Sequence, residues 1–295
     1  LFLFNFFMTE NNLSSENSVV DYPTLKAGWQ WQKTEELAYL TCDLLQNWRH
    51  GFFTRLFWPH TPAELTAILH SEAKIFRVKQ VHGNKIYRTD EIEPVQGAND
   101  TPNNDYEPLY PEADGLVTSQ AHQAVWTCTA DCTPILIADP KTGQVASVHA
   151  GWRGTAAKIV LEAIARLVNQ GSHKSDLLIA MGPAISGEVY QVTQAVGAEV
   201  GKTVVPKAMN DPAEILDWLY QLPNPPVIPD PSPDKVRLDV RQINYLQLTA
   251  IGIDPQQIAI APSCTYQDPV RFFSYRRDQQ KKVQWSGIVS RNITA

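Results

Sequence analysis

The chain has 295 residues, a formal net charge of −6 and 43% hydrophobic residues. That is apolar material for one large domain or two ordinary ones, and an acidic balance without a Lys/Arg-rich stripe argues against a nucleic-acid partner. Its four cysteines (Cys42, Cys128, Cys132, Cys264) are too few and too irregularly spaced for a disulfide-stapled secreted scaffold, so free thiols in a reducing cytoplasm are expected.

The apolar start Leu1–Phe7 lacks the basic flank and the small-residue cleavage site of a signal peptide. Met8 is the expected initiator, and residues 1–22 read as a disordered tail before a single domain over 23–295. No segment approaches the ~20 apolar residues of a membrane helix, so no membrane partner is expected. Trp29, Trp31, Leu37, Tyr39 and Leu40 alternate with polar residues and open a sheet, followed by a short strand at Gly51-Phe-Phe-Thr-Arg55. Thr61-Pro62-Ala-Glu64 has the N-cap, first-position proline and third-position glutamate of a helix start, and that helix runs to about His70. Ile75 to His82 alternates as a strand, and Lys85-Ile-Tyr87 resumes it beyond His82-Gly83-Asn84. Residues 92–112 form a polar loop, and Ala124–Thr129 is another strand.

Residues 127–155 carry the densest chemistry. Ile135–Ala138 and Val145–Val148 read as strands around the turn Asp139-Pro-Lys-Thr-Gly143. Paired as a hairpin, they bring Cys132 and His149 to one open end, beside the glycine-rich start of a helix. Thiolate, imidazole and free backbone N–H groups together suit metal binding, anion binding or covalent catalysis. A buried thiol and a hydrogen-bonded core histidine would look the same in sequence. Thr155–Asn169 is the clearest helix, with Gly171 past its end, and Leu177–Met181 is a buried strand. Residues 205–235 read as a short helix (Ala213–Leu222) and a proline-rich insertion. Asp239–Ile251 is a helix, Ile258–Ile260 a strand, Phe272–Arg277 a strand ending in two arginines, and Val283–Ser290 the closing strand. The pattern is a layered α/β domain with a mixed sheet.

Several blocks together resemble one family, the YfiH-like, laccase-domain proteins, also called multicopper polyphenol oxidases and later purine nucleoside phosphorylases. They are Gly51-Phe-Phe-Thr-Arg55, Gln80-Val-His82-Gly83, Ala113-Asp114-Gly115-Leu-Val-Thr118, Thr129-Ala-Asp131-Cys132-Thr-Pro134, Val148-His149-Ala-Gly-Trp-Arg-Gly154, Met181-Gly-Pro183, Cys264-Thr265 and Phe272-Phe-Ser-Tyr-Arg-Arg-Asp278. The resemblance implies a three-layer α/β/α fold with a mixed sheet, related to the catalytic domain of cytotoxic necrotizing factors. It implies a zinc site of His82, Cys132 and His149, whose three ligands and one open position are typical of catalytic zinc. It also implies purine nucleosides and phosphate as partners, with phosphorolysis of adenosine, inosine, guanosine and methylthioadenosine and deamination of adenosine. The chain departs from the family where Ala184-Ile-Ser-Gly-Glu-Val-Tyr190-Gln191-Val192 lacks two cysteines, in a short Arg55–Gln80 segment, and in its proline-rich insertion.

A blue-copper laccase needs closely spaced His-x-His and His-Cys-His runs. The seven histidines (50, 60, 70, 82, 122, 149, 173) include no pair two residues apart, so copper is expected only as an adventitious occupant. For deamination, zinc would bring a water to a pKa of about 7 for attack at C6 of adenine. Asp131 is the first candidate to shuttle the proton; alternatively it points away from Cys132 and caps a neighbouring element. For phosphorolysis, Arg153 beside Gly154 in the glycine-rich turn is the first phosphate candidate, with one of Arg276 and Arg277 beside it. Trp152 could stack on the base or fill the core. Cys128 reads as a packed thiol, Cys264 lies near the pocket by family analogy, and His50, His60, His70, His122 and His173 are placed on the solvent side. Two rival readings remain: a Cys-His hydrolase or deamidase with Cys132 as nucleophile, and a metal-binding protein without turnover. A monomer is expected.

Overall fold

The computed structural model describes residues 28–95 and 110–293. The expected tail, the initiator at Met8 and most of the 92–112 loop lie outside the described residues. In chain order the strands are Trp29–Thr34 (β1), Leu37–Cys42 (β2), His50–Phe53 (β3), Lys74–Phe76 (β4), Ile86–Arg88 (β5), Gly115–Val117 (β6), Gln123–Thr129 (β7) and Thr133–Ala138 (β8). Val145–Ala150 (β9), Leu178–Met181 (β10), Gln191–Thr193 (β11), Val227–Pro229 (β12), Lys235–Leu238 (β13), Ile258–Ile260 (β14) and Gln284–Val289 (β15) follow. The helices are Pro62–His70 (α1), Trp152–Ala156 (α2), Ile159–Asn169 (α3), Gln194–Gly201 (α4), Pro212–Tyr220 (α5), Val240–Ala250 (α6) and Tyr275–Asp278 (α7).

The α/β class with mixed sheets is the one found. Its strands divide between two six-stranded sheets, ordered β1-β2-β3-β15-β7-β4 and β14-β10-β8-β9-β6-β5. Each is antiparallel at its centre, with parallel pairs only at edges: β4 with β7, β5 with β6, and β10 with β14. The sheets pack face to face. Leu40, Phe52, Val125 and Ile288 of the first meet Leu116, Leu136, Val145 and Ala180 of the second in one buried cluster. The outer face of the first sheet packs on α1 through Phe53, Trp126, Leu65 and Leu69. The outer face of the second packs on α3 and α6 through Ile135, Ile137, Ile159, Ala163, Leu167 and Leu248. Helix, sheet, sheet and helix therefore succeed one another. This explains why β8 and β9 are buried along their whole length: each face meets an apolar layer.

Helix α1 begins as its sequence dictates. The Thr61 side chain accepts from the Glu64 N–H, the Glu64 carboxylate accepts from the Thr61 N–H, and Pro62 fills the first helical position. Three expectations change. The Thr155–Asn169 helix splits into α2 and α3, because Lys158 takes a left-handed conformation (φ 61°) and the Gln247 amide donates to the Thr155 carbonyl. The strand foreseen over Ile75–His82 stops at Phe76. From there the chain leaves the first sheet and joins the second at β5, touching residue 112 through the Lys79 bridge on the way. Phe272–Arg277 is no strand: the Gln284 side chain both accepts from the Phe273 N–H and donates to its carbonyl, and Ser274 caps α7.

The proline-rich stretch is more ordered than an irregular excursion. Strands β11, β13 and β12 form a small antiparallel sheet, and α4 and α5 cover it. Val200, Ile215, Leu216, Leu219, Val227, Val236 and Leu238 give this lobe its own core. Pro229 ends an edge strand, where a missing N–H costs no ladder bond.

His50, expected at the surface, is buried. Its Nε2 accepts from the Cys42 N–H at 2.8 Å, so Nδ1 carries the proton and donates to the Trp48 carbonyl at 2.9 Å. Burial drives its pKa from 6.5 down to about 4, against a smaller opposing effect of the Trp48 carbonyl. The unfolded chain therefore binds the extra proton between those values, and stability falls as pH drops from 6.5 towards 4. Denaturant unfolding of the wild type and His50→Gln across this range should show the wild-type advantage shrinking with acid, by about 3 kcal/mol in full. A constant gap would contradict the buried neutral histidine.

Candidate metal centre and cleft

His82, Cys132 and His149 come together at one end of the two sheets, with ligand atoms all within 4.8 Å of one another. The topology explains the meeting. His82 lies where the chain crosses from β4 in the first sheet to β5 in the second. Cys132 lies where it crosses from β7 to β8, and His149 sits near the end of β9. The β8–β9 hairpin pairs Pro134 with His149, which places Cys132 and His149 at its open end as the sequence implied. The turn is held by Asp139, whose Oδ1 accepts from Lys141 N–H at 2.7 Å, and by Gly143 at φ 75°.

Asp114 organises this corner, and the sequence reading gave it no role. It immediately precedes β6, whose Gly115 pairs with Val148 of β9. Its carbonyl accepts from the His149 N–H at 2.7 Å, and its Oδ1 accepts from His149 Nδ1 at 2.8 Å. The same carboxylate accepts from the N–H groups of Val81 (3.3 Å), His82 (2.8 Å) and Gly83 (2.6 Å). One fully buried side chain therefore fixes both histidines. With Nδ1 of His149 committed to Asp114, its Nε2 is the nitrogen left for a ligand. His82 has a left-handed backbone (φ 60°), stabilised by this cradle. Gln80 supports the same loop: its amide donates to the Cys128 carbonyl and accepts from the Cys128 N–H, both at 2.8 Å.

Burial alone would raise the Asp114 pKa, but hydrogen bonds from His149, Gly83 and His82 outweigh it and hold the carboxyl below its ordinary range. Burial alone would also raise the Cys132 thiol. The His149 charge and hydrogen bonds from both histidines overcome this and push it down. His149 moves up for the reciprocal reason, with Cys132 and Asp114 outweighing its burial. The reciprocal shifts favour a thiolate–imidazolium pair at Cys132 and His149. Gly151 completes the enclosure: a Cβ there would stand 3.0 Å from Cys132 Sγ and 3.3 Å from the His82 ring. Two imidazoles and a thiolate are a donor set suited to a divalent ion such as zinc, whose tetrahedral ligand atoms stand roughly 3.3–3.6 Å apart, inside the 4.8 Å that bounds their spacing here.

The triad opens into a cleft of about 540 Å³, lined by Trp152, Arg153, Tyr190, Tyr275, Arg276 and Lys281 among others. Trp152 is half-buried; it lines this cleft and also packs on the small lobe. Arg153 is exposed, and its guanidinium lies 4.4 Å from the Trp152 ring centre. It stands within helix α2 rather than in a glycine-rich turn before a long helix. The Arg276 guanidinium lies 4.8 Å from the Tyr190 ring centre. Burial pushes the Tyr190 phenol up to about 12, so it stays a hydrogen-bond donor. Tyr190 is a second residue to which the sequence reading gave no role, because its contact with this cleft is purely tertiary.

Four further candidates are placed as follows. Arg277 does not line the cleft: its guanidinium is spent on the carbonyls of Thr265, Tyr266 and Phe272 and on Asp278. Gly154 is not among the residues lining the cleft; a Cβ there would meet the Gly83 carbonyl at 2.8 Å, so the position serves close backbone packing. Cys264 lines a separate cavity with Ser186 and Arg241. Asp131 does line the cleft, but Thr265 Oγ1 (2.7 Å), Ser274 Oγ (3.0 Å) and the Arg276 N–H (2.7 Å) occupy its two carboxylate oxygens.

Comparison with known proteins shows the family. The family model described as "Multi-copper polyphenol oxidoreductase laccase" matches residues 62–291. The chain belongs to that family. It is 48% identical over 264 residues to a purine nucleoside phosphorylase of Synechocystis sp., covering 89% of this chain and 97% of that one. It is 33% identical over 203 residues to the purine nucleoside phosphorylase YlmD of Geobacillus stearothermophilus, covering 68% and 66% of the two chains. The crystal structure of YlmD from G. stearothermophilus superposes with a TM-score of 0.69 at 25% identity, covering 89% of this chain and 99% of that one. The family description names copper, yet His82, Cys132 and His149 are the one group of three such ligands among the described residues. No helix among the described residues is long and apolar enough to cross a membrane.

If Asp114 holds both histidines, Asp114→Asn should weaken metal binding by about 10–100-fold, as loss of such carboxylate partners does elsewhere. Competition titration against a chromophoric chelator measures this, and unchanged affinity would contradict the role.

Proposed function

We propose that this protein is a zinc-dependent purine nucleoside phosphorylase that cleaves adenosine, inosine, guanosine and methylthioadenosine with phosphate, and that it also deaminates adenosine. The observation that carries the reading is the juxtaposition, in one cleft, of a His-Cys-His ligand set, aromatic faces and the guanidinium groups of Arg153 and Arg276. The relatives named as purine nucleoside phosphorylases support it, one of them along almost its full length. Zinc held by His82, Cys132 and His149 supplies Lewis acidity within the cleft. The faces of Trp152 and Tyr190 take the purine. Arg153 and Arg276 bind phosphate, since planar guanidinium matches its oxygens and carries a permanent charge. The Tyr190 hydroxyl donates to a sugar or phosphate oxygen. A single catalytic unit over 23–295, monomeric and cytoplasmic, belongs to the same reading.

A second reading rests on the thiolate–imidazolium pair: Cys132, His149 and Asp114 form a nucleophile, base and orienting carboxylate. A Cys-His hydrolase would work without metal, and zinc would inhibit it. The second histidine beside the same sulfur favours the metal reading, because a nucleophile needs only one base.

Purified protein, after metal analysis, should release adenine from adenosine and hypoxanthine from inosine only when phosphate is added. Cys132→Ala should lose bound zinc and at least about 100-fold in kcat/KM. Turnover by metal-stripped protein, blocked by alkylation of Cys132, would favour the hydrolase instead. A zinc protein without nucleoside turnover would leave a metal-binding role.

A further inference from the structure

Asp131 is the neighbour of a metal ligand, yet its carboxylate serves another element. It is 8% exposed and sits at φ 95°, an unusual backbone for a side chain of any size. Oδ1 accepts from Thr265 Oγ1, and Oδ2 accepts from Ser274 Oγ and from the backbone N–H of Arg276. Thr265 and Ser274 are themselves buried, so these bonds are shielded from water. Ser274 also caps α7 by accepting from the Arg277 N–H at 3.2 Å. The Asp131 carbonyl accepts from the Ile185 N–H, which leads to the segment bearing Tyr190.

Helix α7 has a single turn, too short to hold itself in place. Its anchors are Asp131 at its start and Arg277, whose guanidinium is fully engaged with the preceding loop. Arg276 lies between these anchors and faces the other way. Among the described residues its guanidinium donates only to the Gln191 carbonyl, at 2.8 Å, so most of its N–H groups remain for a ligand. The Arg276 backbone is thus tied directly to the residue before Cys132.

We propose that Asp131 is a positioning residue that sets Arg276 against the metal centre, so that phosphate is held at a fixed distance from the His82–Cys132–His149 corner. This rests on the phosphorylase reading and gives Asp131 a role other than proton transfer. A carboxylate already accepting from three donors is poorly placed to exchange a proton with substrate. The arrangement also explains why an acidic residue can line an anion-binding cleft: its charge is compensated by backbone and hydroxyl donors before phosphate arrives.

The test uses Asp131→Asn, which tolerates the left-handed backbone, and Ser274→Ala, which removes one donor without touching the metal loop. Both variants, with zinc content verified, are assayed for phosphorolysis against phosphate concentration and for phosphate binding by calorimetry. Positioning predicts that KM and Kd for phosphate rise about 10-fold in both variants while kcat changes less than about threefold. Arg276→Gln should give the same signature, and combining it with Asp131→Asn should add little further. A fall in kcat of Asp131→Asn at unchanged phosphate KM, with Ser274→Ala silent, would overturn the proposal in favour of proton transfer. Calorimetry separates the two levels of inference. If wild-type protein turns over no nucleoside yet binds phosphate, the phosphorylase reading fails, and a weaker Kd in the variants still upholds the tether. Unaltered Kd in the variants, or no phosphate binding by wild type, rejects it.

Discussion

The carboxylate of Asp114 is the interaction on which the candidate site depends. It is fully buried, and a buried charge is tolerated only with donors on every side. Here those donors are three consecutive backbone N–H groups of residues 81–83 and the imidazole of His149. The cost of burial is thereby converted into geometry: the crossing loop and strand β9 cannot move apart without stranding the charge. The selected tautomer of His149 and the left-handed turn at His82 both follow from it.

The two-sheet architecture supplies the place for this interaction. Chain crossings between stacked sheets leave a rim where strands end and side chains converge. His82 and Cys132 occupy two such crossings, and His149 lies at the adjoining strand end. Apolar layers on either side of the second sheet keep that rim rigid. The site is closed on one side by Gly151, whose missing side chain makes room for sulfur and imidazole. On the other side the small lobe and α7 bring Tyr190 and Arg276 over the open end.

A division of labour runs through neighbouring residues. Of Asp131 and Cys132, one is spent on architecture and one faces the metal corner. Arg277 and Arg276 divide in the same way, as do Gly154, pressed on the Gly83 carbonyl, and Arg153, exposed at the cleft. Alternation along an extended chain or a single helical turn makes this natural, since adjacent side chains point in different directions. Motif position therefore identifies a functional segment more readily than it identifies the functional atom.

The local elements with strong signals were legible in the sequence. The capping box of α1, the turn of the β8–β9 hairpin and the apolar face of α3 each carry their cause within a few residues. The hairpin alone foretold that Cys132 and His149 meet, and the motif resemblance added His82. Tertiary structure decided what depends on distant partners. Residues 77–82 look like a continuing strand but cross between sheets, because alternation does not reveal which sheet a strand joins. Phe272–Arg277 has strand composition, yet one glutamine side chain satisfies its backbone and one distant aspartate anchors the helix that follows. His50 is polar by type and buried by register, since the Cys42 N–H and the Trp48 carbonyl satisfy its ring. Asp114, Tyr190 and Gly151 acquire their roles only from atoms far along the chain. Short-range hydrogen bonding and periodicity are written in sequence, whereas compensation of buried charge is decided by which distant donors the fold brings within reach.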